Sequence, residues 1–373
     1  MQHAVAGAPR LSVVVPCYNE AEGIGELHRR VSAACRAEVG ESYELILVDD
    51  GSRDGTWSRV ADLVRDDPAV TGVRLSRNHG HQLALTAGLH VCRGERILII
   101  DADLQDPPEL LSTMMARMDA GADVVYGTRM ARDGETWFKK GTAALFYRLL
   151  DRLVDIEIPK DTGDFRLMSR RALEVLNAMP EQHRFIRGMV SWIGLKQEPL
   201  PYDRQARAVG ETKYPLGKMI RFAVDAITSF SIKPLRAASY IGFFFALCAV
   251  LALGYALVSW SQHATVPGWT SVMVVSLVLG STQLLILGVL GEYLGRLYME
   301  TKQRPLFVVD RIARHPDAIA AHQAAVQAAV QAAAQAAADG QPAPVPVEVH
   351  LGTGIAAAAG AFSRIEAKSG ANS

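Results

Sequence analysis

The sequence predicts an α/β protein, a doubly wound parallel sheet followed by membrane-spanning helices, and three observations predict it. Short apolar runs alternate with helical stretches from Leu11 to about Gly127, each run ends in polar or glycine residues, and two long uncharged stretches follow residue 234. Strands are expected at Leu11–Pro16, Tyr43–Val48, Val70–Leu75, Arg96–Ile100 and Ala122–Tyr126. Between them, Ala21–Ala37, Thr56–Asp66, Gln82–Val91 and Pro108–Ala120 carry apolar residues at helical spacing. In open parallel sheets the ligand crevice lies at the carboxyl ends of the strands.

The uncharged stretches come next. Tyr240–Trp260 has 21 residues and Trp269–Gly291 has 23, so at about 1.5 Å per residue each reaches about 30 Å or slightly more, enough to span a bilayer. Lys233 and Arg236 precede the first, Arg296, Lys302 and Arg304 follow the second, and the connector Ser261–Gly268 has no lysine or arginine. By the positive-inside rule both ends face the cytoplasm. Two further segments are amphipathic, Trp137–Ile156 and Gly217–Ile232. Each is either a core-facing helix or one lying in the membrane interface, and adjacency to the spans favours the interface for the second. The expected division is a short N-terminus (1–10), a catalytic domain (11–216), a juxtamembrane amphipathic helix (217–234), two spans (235–295), a return segment (296–309) and an Ala/Gln-rich, largely disordered tail (310–373).

Bulk properties narrow the partners. Lysine plus arginine and aspartate plus glutamate both number 39 among 373 residues, for a formal net charge of +0, so no global attraction to nucleic acid is expected. The hydrophobic fraction of 49% and mean hydropathy of +0.11 are high because apolar residues are concentrated after residue 234. Cys17, Cys35, Cys92 and Cys248 are scattered at spacings that suggest neither a zinc site nor a redox dithiol. Met1–Arg10 lacks a signal-peptide core, which leaves the globular part expected in the cytoplasm.

Acids gather at the strand ends. Val13–Glu20 ends a buried strand in a turn bounded by Pro16 that carries Tyr18 and Glu20. Asp49 and Asp50 close the second strand ahead of Gly51, Ser52, Asp54 and Gly55. Turn and cap chemistry accounts for those four, whereas an acid at the strand end can accept hydrogen bonds from a ribose or a base. In Ile99–Glu109 an apolar strand runs into Asp101, Asp103, Gln105 and Asp106, and the period of two puts Asp101 and Asp103 on one face. Two convergent carboxylates repel unless a cation sits between them, and Mg²⁺ or Mn²⁺ held by carboxylates plus substrate phosphates is the common solution.

Together Pro16–Glu20, Asp49–Thr56, Arg77–Gly80 with Ala87–Gly88, and Asp101–Glu109 resemble glycosyltransferase family 2 with its GT-A fold. Within it the chain is similar to dolichol-phosphate mannose synthases and to bactoprenol glucosyltransferases, over about Leu11 to Pro305. Val125–Arg129, Asp161–Met168, Arg184–Gly188 and the stretch from Arg204 to Pro215 add to the likeness. The resemblance implies that Pro16, Tyr18, Glu20, Asp49 and Asp50 contact the nucleoside, and that Asp101, Asp103 and Gln105 hold the metal. It also puts Asp164 in the active site, although spacing alone gives that residue no role. Arg129 and Arg132 follow the fifth strand, where guanidinium groups can grip a lipid phosphate bidentately. Arg204, Arg207 and Lys213 either close over a donor or acceptor phosphate, as the likeness suggests, or form a solvated basic loop beside anionic lipid. His79 and His81 are read as capping and packing the Gln82 helix.

The implied partners are a nucleotide-sugar donor, a polyprenyl-phosphate acceptor, the membrane, and further copies of the chain in a homo-oligomer such as a tetramer. UDP-glucose is the first expectation for the donor, ahead of GDP-mannose or an amino-sugar nucleotide. A processive polysaccharide synthase would need an export channel and usually a Gln-X-X-Arg-Trp motif; the motif is absent and two spans are too few. An inert membrane scaffold is disfavoured by the intact Asp101 and Asp103.

Overall fold

The computed structural model describes residues 8–129, 162–203, 231–261 and 268–320. The amphipathic segment Trp137–Ile156, nearly all of Gly217–Ile232, most of the Ser261–Gly268 connector and the Ala/Gln-rich stretch after residue 320 lie outside them.

The first half follows the expected alternation. In chain order come β1 (Leu11–Cys17), α1 (Ile24–Val39), β2 (Tyr43–Asp49), α2 (Thr56–Asp66), β3 (Val70–Leu75), α3 (His81–Val91), β4 (Arg96–Ile99), α4 (Leu111–Asp119) and β5 (Val124–Arg129). β1 pairs in parallel with β2 and β4, and β2 with β3. Because helices cover both faces, both sets of alternating side chains are buried. Val13, Val15, Leu45 and Leu47 pack with Leu27 and Val31 of α1 and Met114 of α4. Val14, Ile46 and Val48 face the other way, against Leu85 of α3.

The second half departs from a purely parallel sheet. β6 (Thr162–Ser169) inserts antiparallel between β4 and β5. Ser169 then caps α5 (Arg170–Ala178), its side chain accepting from the Ala172 N–H at 3.2 Å. α6 (Ile186–Ile193) and β7 (Gln197–Tyr202) follow, with β7 parallel to β5 at the sheet edge. The order is β7-β5-β6-β4-β1-β2-β3, with β8 (Val309–Arg314) added beside β3, a mixed sheet of GT-A, Rossmann-like type.

Beyond it stand α7 (Lys233–Ser261) and α8 (Trp269–Thr301), two helices long and apolar enough to cross a membrane. Their apolar side chains are exposed, Phe243 at 75% and Leu284 at 71%, a state that water does not favour for a contiguous apolar surface. The 33 residues of α8 extend about 50 Å, well past a hydrocarbon core of about 30 Å, so the helix runs ten residues beyond the expected end at Gly291. That extension reaches the sheet domain, where the Glu300 carboxylate accepts from the Gln182 N–H at 2.7 Å. Phe307 then packs edge-on against His90, and Val308 O accepts from the Ser76 N–H at 2.9 Å.

The chain next forms β8 (Val309–Arg314), antiparallel to β3. This corrects the division proposed from sequence: 310–314 belong to the sheet and not to a tail. Charged residues at Asp310, Arg311 and Arg314 suit an edge strand, which is exposed on its unpaired side.

Candidate active site

β1 and β2 deliver their terminal residues to one end of the sheet, where backbone donors claim most of the acids. Asp49 Oδ1 accepts from the Ser52 N–H at 3.0 Å, and Arg74 Nε lies 3.7 Å from Asp49 Oδ2. Asp50 accepts through both oxygens, from His79 N–H at 2.7 Å and Gly80 N–H at 2.9 Å. Burial lifts the Asp50 pKa, and those two bonds only partly oppose the lift. Gly51 sits between the two loops at φ +65°, and a Cβ there would fall 2.4 Å from the Arg77 carbonyl carbon, so only glycine allows the contact. Pro16 is buried, Glu20 is half-buried with its N–H donating to Thr56 Oγ1 at 2.9 Å, and the Tyr18 ring is 42% exposed.

The acids after β4 behave differently. The expectation that Asp101 and Asp103 share one strand face is corrected, because β4 stops at Ile99 and residues 100–107 are neither helix nor strand. Ile100 N–H still donates to Val14 O, but the next ladder bond would come from the N–H of residue 16, and Pro16 has none. The chain turns there. Asp103 Oδ1 accepts from the Gln105 N–H at 3.2 Å, and Leu104 between them takes the left-handed conformation at φ 54°. Such backbone costs roughly 1 kcal/mol or more and gathers at functional sites.

In that turn Asp101 Oδ1 and Gln105 Oε1 are buried without a hydrogen-bond partner. The Asp101 pKa is pushed up to about 6, first by burial and then by the charges of Asp164, Asp106 and Asp103, with His81 opposing. Buried oxygens of this kind are acceptors awaiting a partner, with lone pairs that a cation can fill. Among the described residues no three His, Cys, Asp or Glu side chains form a cation cage. Two carboxylates and an amide instead fit a hard cation such as Mg²⁺ or Mn²⁺ whose remaining ligands are waters and substrate phosphates. Gln105, for which residue chemistry alone made no case, qualifies on its orphaned oxygen.

Asp164, on β6, is joined to this turn by a residue read as packing. His81 Nε2 lies 3.2 Å from Asp164 Oδ2 and 3.5 Å from Asp101 Oδ1. Burial lowers the His81 pKa, but the bond to Asp164 and the charges of both acids outweigh it and the net shift is upward. Gln82 Nε2 donates to Asp164 Oδ2 at 2.8 Å, while its Oε1 accepts from the Ile186 N–H at 3.0 Å, linking α3, β6 and α6. Arg166 and Arg187 approach Asp164 Oδ1 at 3.6 and 3.9 Å. Burial raises the Asp164 pKa, yet the His81 bond and the two guanidinium charges more than reverse this and hold it well below the usual carboxylate range. Burial also lowers the Arg166 pKa to about 10.

His79 meets the loop through its backbone, as a packing residue would. Arg129 ends β5; Arg132, Arg204, Arg207 and Lys213 lie outside the described residues. The sequence reading missed His81, Gln82, Arg166 and Arg187. The local signal for His81 and Gln82 was the polar His79–Gln82 run opening a helix at the sheet's ligand end, while Arg166 and Arg187 lay in the Asp161–Met168 and Arg184–Gly188 stretches of the family likeness without a role of their own.

A sheet that ends in an acid-bearing turn with buried oxygens lacking hydrogen-bond partners is a candidate site for group transfer. The Glycosyl transferase family 2 profile matches residues 12–176, and a GtrB C-terminal hairpin matches residues 233–297. The chain is 46% identical over 301 residues to an uncharacterized glycosyltransferase, YkcC, of Bacillus subtilis, covering 80% of this chain and 93% of the relative. It is 42% identical over 303 residues to a glycosyltransferase of Synechocystis, covering 80% and 94%. A prophage bactoprenol glucosyl transferase homolog of Escherichia coli is 38% identical over 308 residues, with 82% of this chain and 100% of that one covered. The chain therefore belongs to glycosyltransferase family 2.

Proposed function

We propose that the enzyme is an inverting hexosyltransferase that moves a sugar, glucose from UDP-glucose first, onto polyprenyl (undecaprenyl) phosphate at the cytoplasmic face of the membrane. The observation that carries this reading is the pair of unpartnered oxygens, Asp101 Oδ1 and Gln105 Oε1, in the turn that also holds Asp103. A chain whose second long apolar helix runs from membrane length directly into the sheet domain is suited to a lipid acceptor. Bactoprenol glucosyl transferases share that hairpin and most of the chain. The lysine and arginine bias around the hairpin supports cytoplasmic ends.

The chemistry follows from charge. A phosphate monoester has a second pKa near about 6, so the acceptor is anionic at neutral pH and needs positioning rather than deprotonation. Asp164 fits this absence of a base: a carboxylate held ionised by His81, Gln82 and two arginines takes up a proton poorly. It anchors His81 beside Asp101. Asp101, Asp103 and Gln105 would hold Mg²⁺ or Mn²⁺, which supplies charge compensation to the departing nucleoside diphosphate. Tyr18 offers an exposed ring to the base, with Pro16, Glu20 and Asp49 around it. Arg129, Arg132, Arg204, Arg207 and Lys213 are the proposed phosphate contacts.

A donor panel tests the reading. Purified enzyme receives undecaprenyl phosphate with UDP-glucose, GDP-mannose or UDP-N-acetylglucosamine, and the lipid extract is examined by mass spectrometry. Glucosyl phosphoryl undecaprenol is the expected product; another sugar on the lipid moves the donor assignment, and no sugar on the lipid from any donor rejects the acceptor.

A further inference from the structure

The ends of β5, β6 and β7 meet in a buried knot of which the reaction above uses only Arg129. Tyr202, the last residue of β7, is 4% exposed, and its hydroxyl donates to Asp106 Oδ1. Asp106 is fully buried and directly follows Gln105. The Tyr202 ring packs edge-on against Phe165 of β6, with centroids 5.7 Å apart. A Cβ on Gly127 of β5 would lie 2.7 Å from the Tyr202 ring and 2.8 Å from that of Phe165, so the knot closes only around a glycine. Arg129, paired with Tyr202 across β5 and β7, completes it. Burial lowers the Arg129 pKa, and its hydrogen bond to Tyr202 and the charge of Asp106 more than offset that.

A carboxylate with no exposure has to be matched by donors and opposite charge. Tyr202 and Arg129 supply both, and they do so one residue from the amide oxygen offered to the cation. Residues 100–107 belong to neither helix nor strand, so a side-chain anchor has to hold what no backbone ladder holds.

We propose that Tyr202 is a positioning residue for the reaction: through Asp106 its hydroxyl fixes the turn that carries Asp101, Asp103 and Gln105. The inference rests on the reading that those three hold a divalent ion. Removing the hydroxyl frees the Asp106 end of the turn, and Gln105 moves with it. Groups one step removed from metal ligands characteristically set metal affinity in this way.

The test uses the full chain in detergent micelles with UDP, following bound and free Mn²⁺ by electron paramagnetic resonance. Tyr202→Phe, which keeps the ring, is expected to weaken Mn²⁺ binding about tenfold or more. Asp106→Ala, which removes the acceptor, is expected to do the same, serving also where Tyr202→Phe folds poorly. The double variant is expected to be no weaker than the weaker single, since both cut one link. Wild-type Mn²⁺ binding in the two single variants, or additive losses in the double, overturns the inference. Asp103→Asn run alongside separates the failures. Binding lost there but kept in Tyr202→Phe and Asp106→Ala rejects only the role of Tyr202, whereas binding kept in Asp103→Asn rejects the metal site and the inference with it.

Discussion

Two acid pairs stand at or just past the ends of β2 and β4, the strands on either side of β1, and read alike in the sequence, yet they are held differently. Asp49 and Asp50 meet three backbone N–H groups, from Ser52, His79 and Gly80, and tie two loops together. Asp103 accepts from the Gln105 N–H within its own turn, and a buried Asp101 oxygen has no hydrogen-bond partner. Asp50, with both oxygens bound by backbone donors, is fixed as part of the framework, while the buried Asp101 oxygen, like Asp49 Oδ2, has no hydrogen-bond donor of its own. The difference lies in the following chain: Gly51 lets a second loop approach Asp50, whereas Pro16 ends the ladder beside Asp101 and strands the acid in a turn.

The largest effect that would break this comparison is on catalysis. Asp101→Asn is expected to lower turnover at least about a thousandfold, the several kcal/mol that a positioned cation contributes at a developing charge. Its effect on metal-free stability has the opposite sign. The folded-state pKa of about 6 lies above the ordinary 3.8, so at pH 7 the ionised side chain costs the fold up to about 3 kcal/mol. Asp101→Asn is therefore expected to raise the metal-free melting midpoint at pH 7 and to leave it nearly unchanged at about pH 3, where both states are largely protonated. A lower midpoint at pH 7 would show that Asp101 is a structural acid like Asp50.

Asp164→Asn ranks next, because Arg166, 2% exposed, loses its charged partner. Removing one member of a buried pair costs about 3–5 kcal/mol, read by chemical denaturation. Asp50→Ala leaves the His79 and Gly80 N–H groups without an acceptor and should cost about 2–4 kcal/mol; a variant of wild-type stability would remove the distinction between the pairs. The mildest sharpening is pH dependence. A cation displaces the proton from Asp101, so Mn²⁺ affinity should fall by up to about tenfold per pH unit below about pH 6 and level off above it.

How far the sequence carried these conclusions depends on the range over which each contact acts. β1 to β5 and α1 to α4 were legible because apolar periodicity is local and both faces of a parallel strand are buried. β6 escaped notice as a strand: Asp164 and Arg166 occupy one of its faces and are buried there, a pattern that reads as solvent-exposed until their partners are known. β8 escaped because Asp310, Arg311 and Arg314 make an edge strand look like tail. In the candidate site, Asp101 and Asp103 stood out by type and spacing, although on a turn and not on a strand face. His81 and Gln82 meet Asp164 from more than 80 residues away, and Tyr202 meets Asp106 from 96. No local pattern encodes such pairs.

The most direct test of the central claim follows labelled sugar from UDP-glucose into undecaprenyl phosphate under saturating Mg²⁺, comparing the wild type with Asp103→Ala. A drop of at least about a thousandfold with the fold intact is expected if this turn holds the cation. Near-native turnover by Asp103→Ala would contradict it.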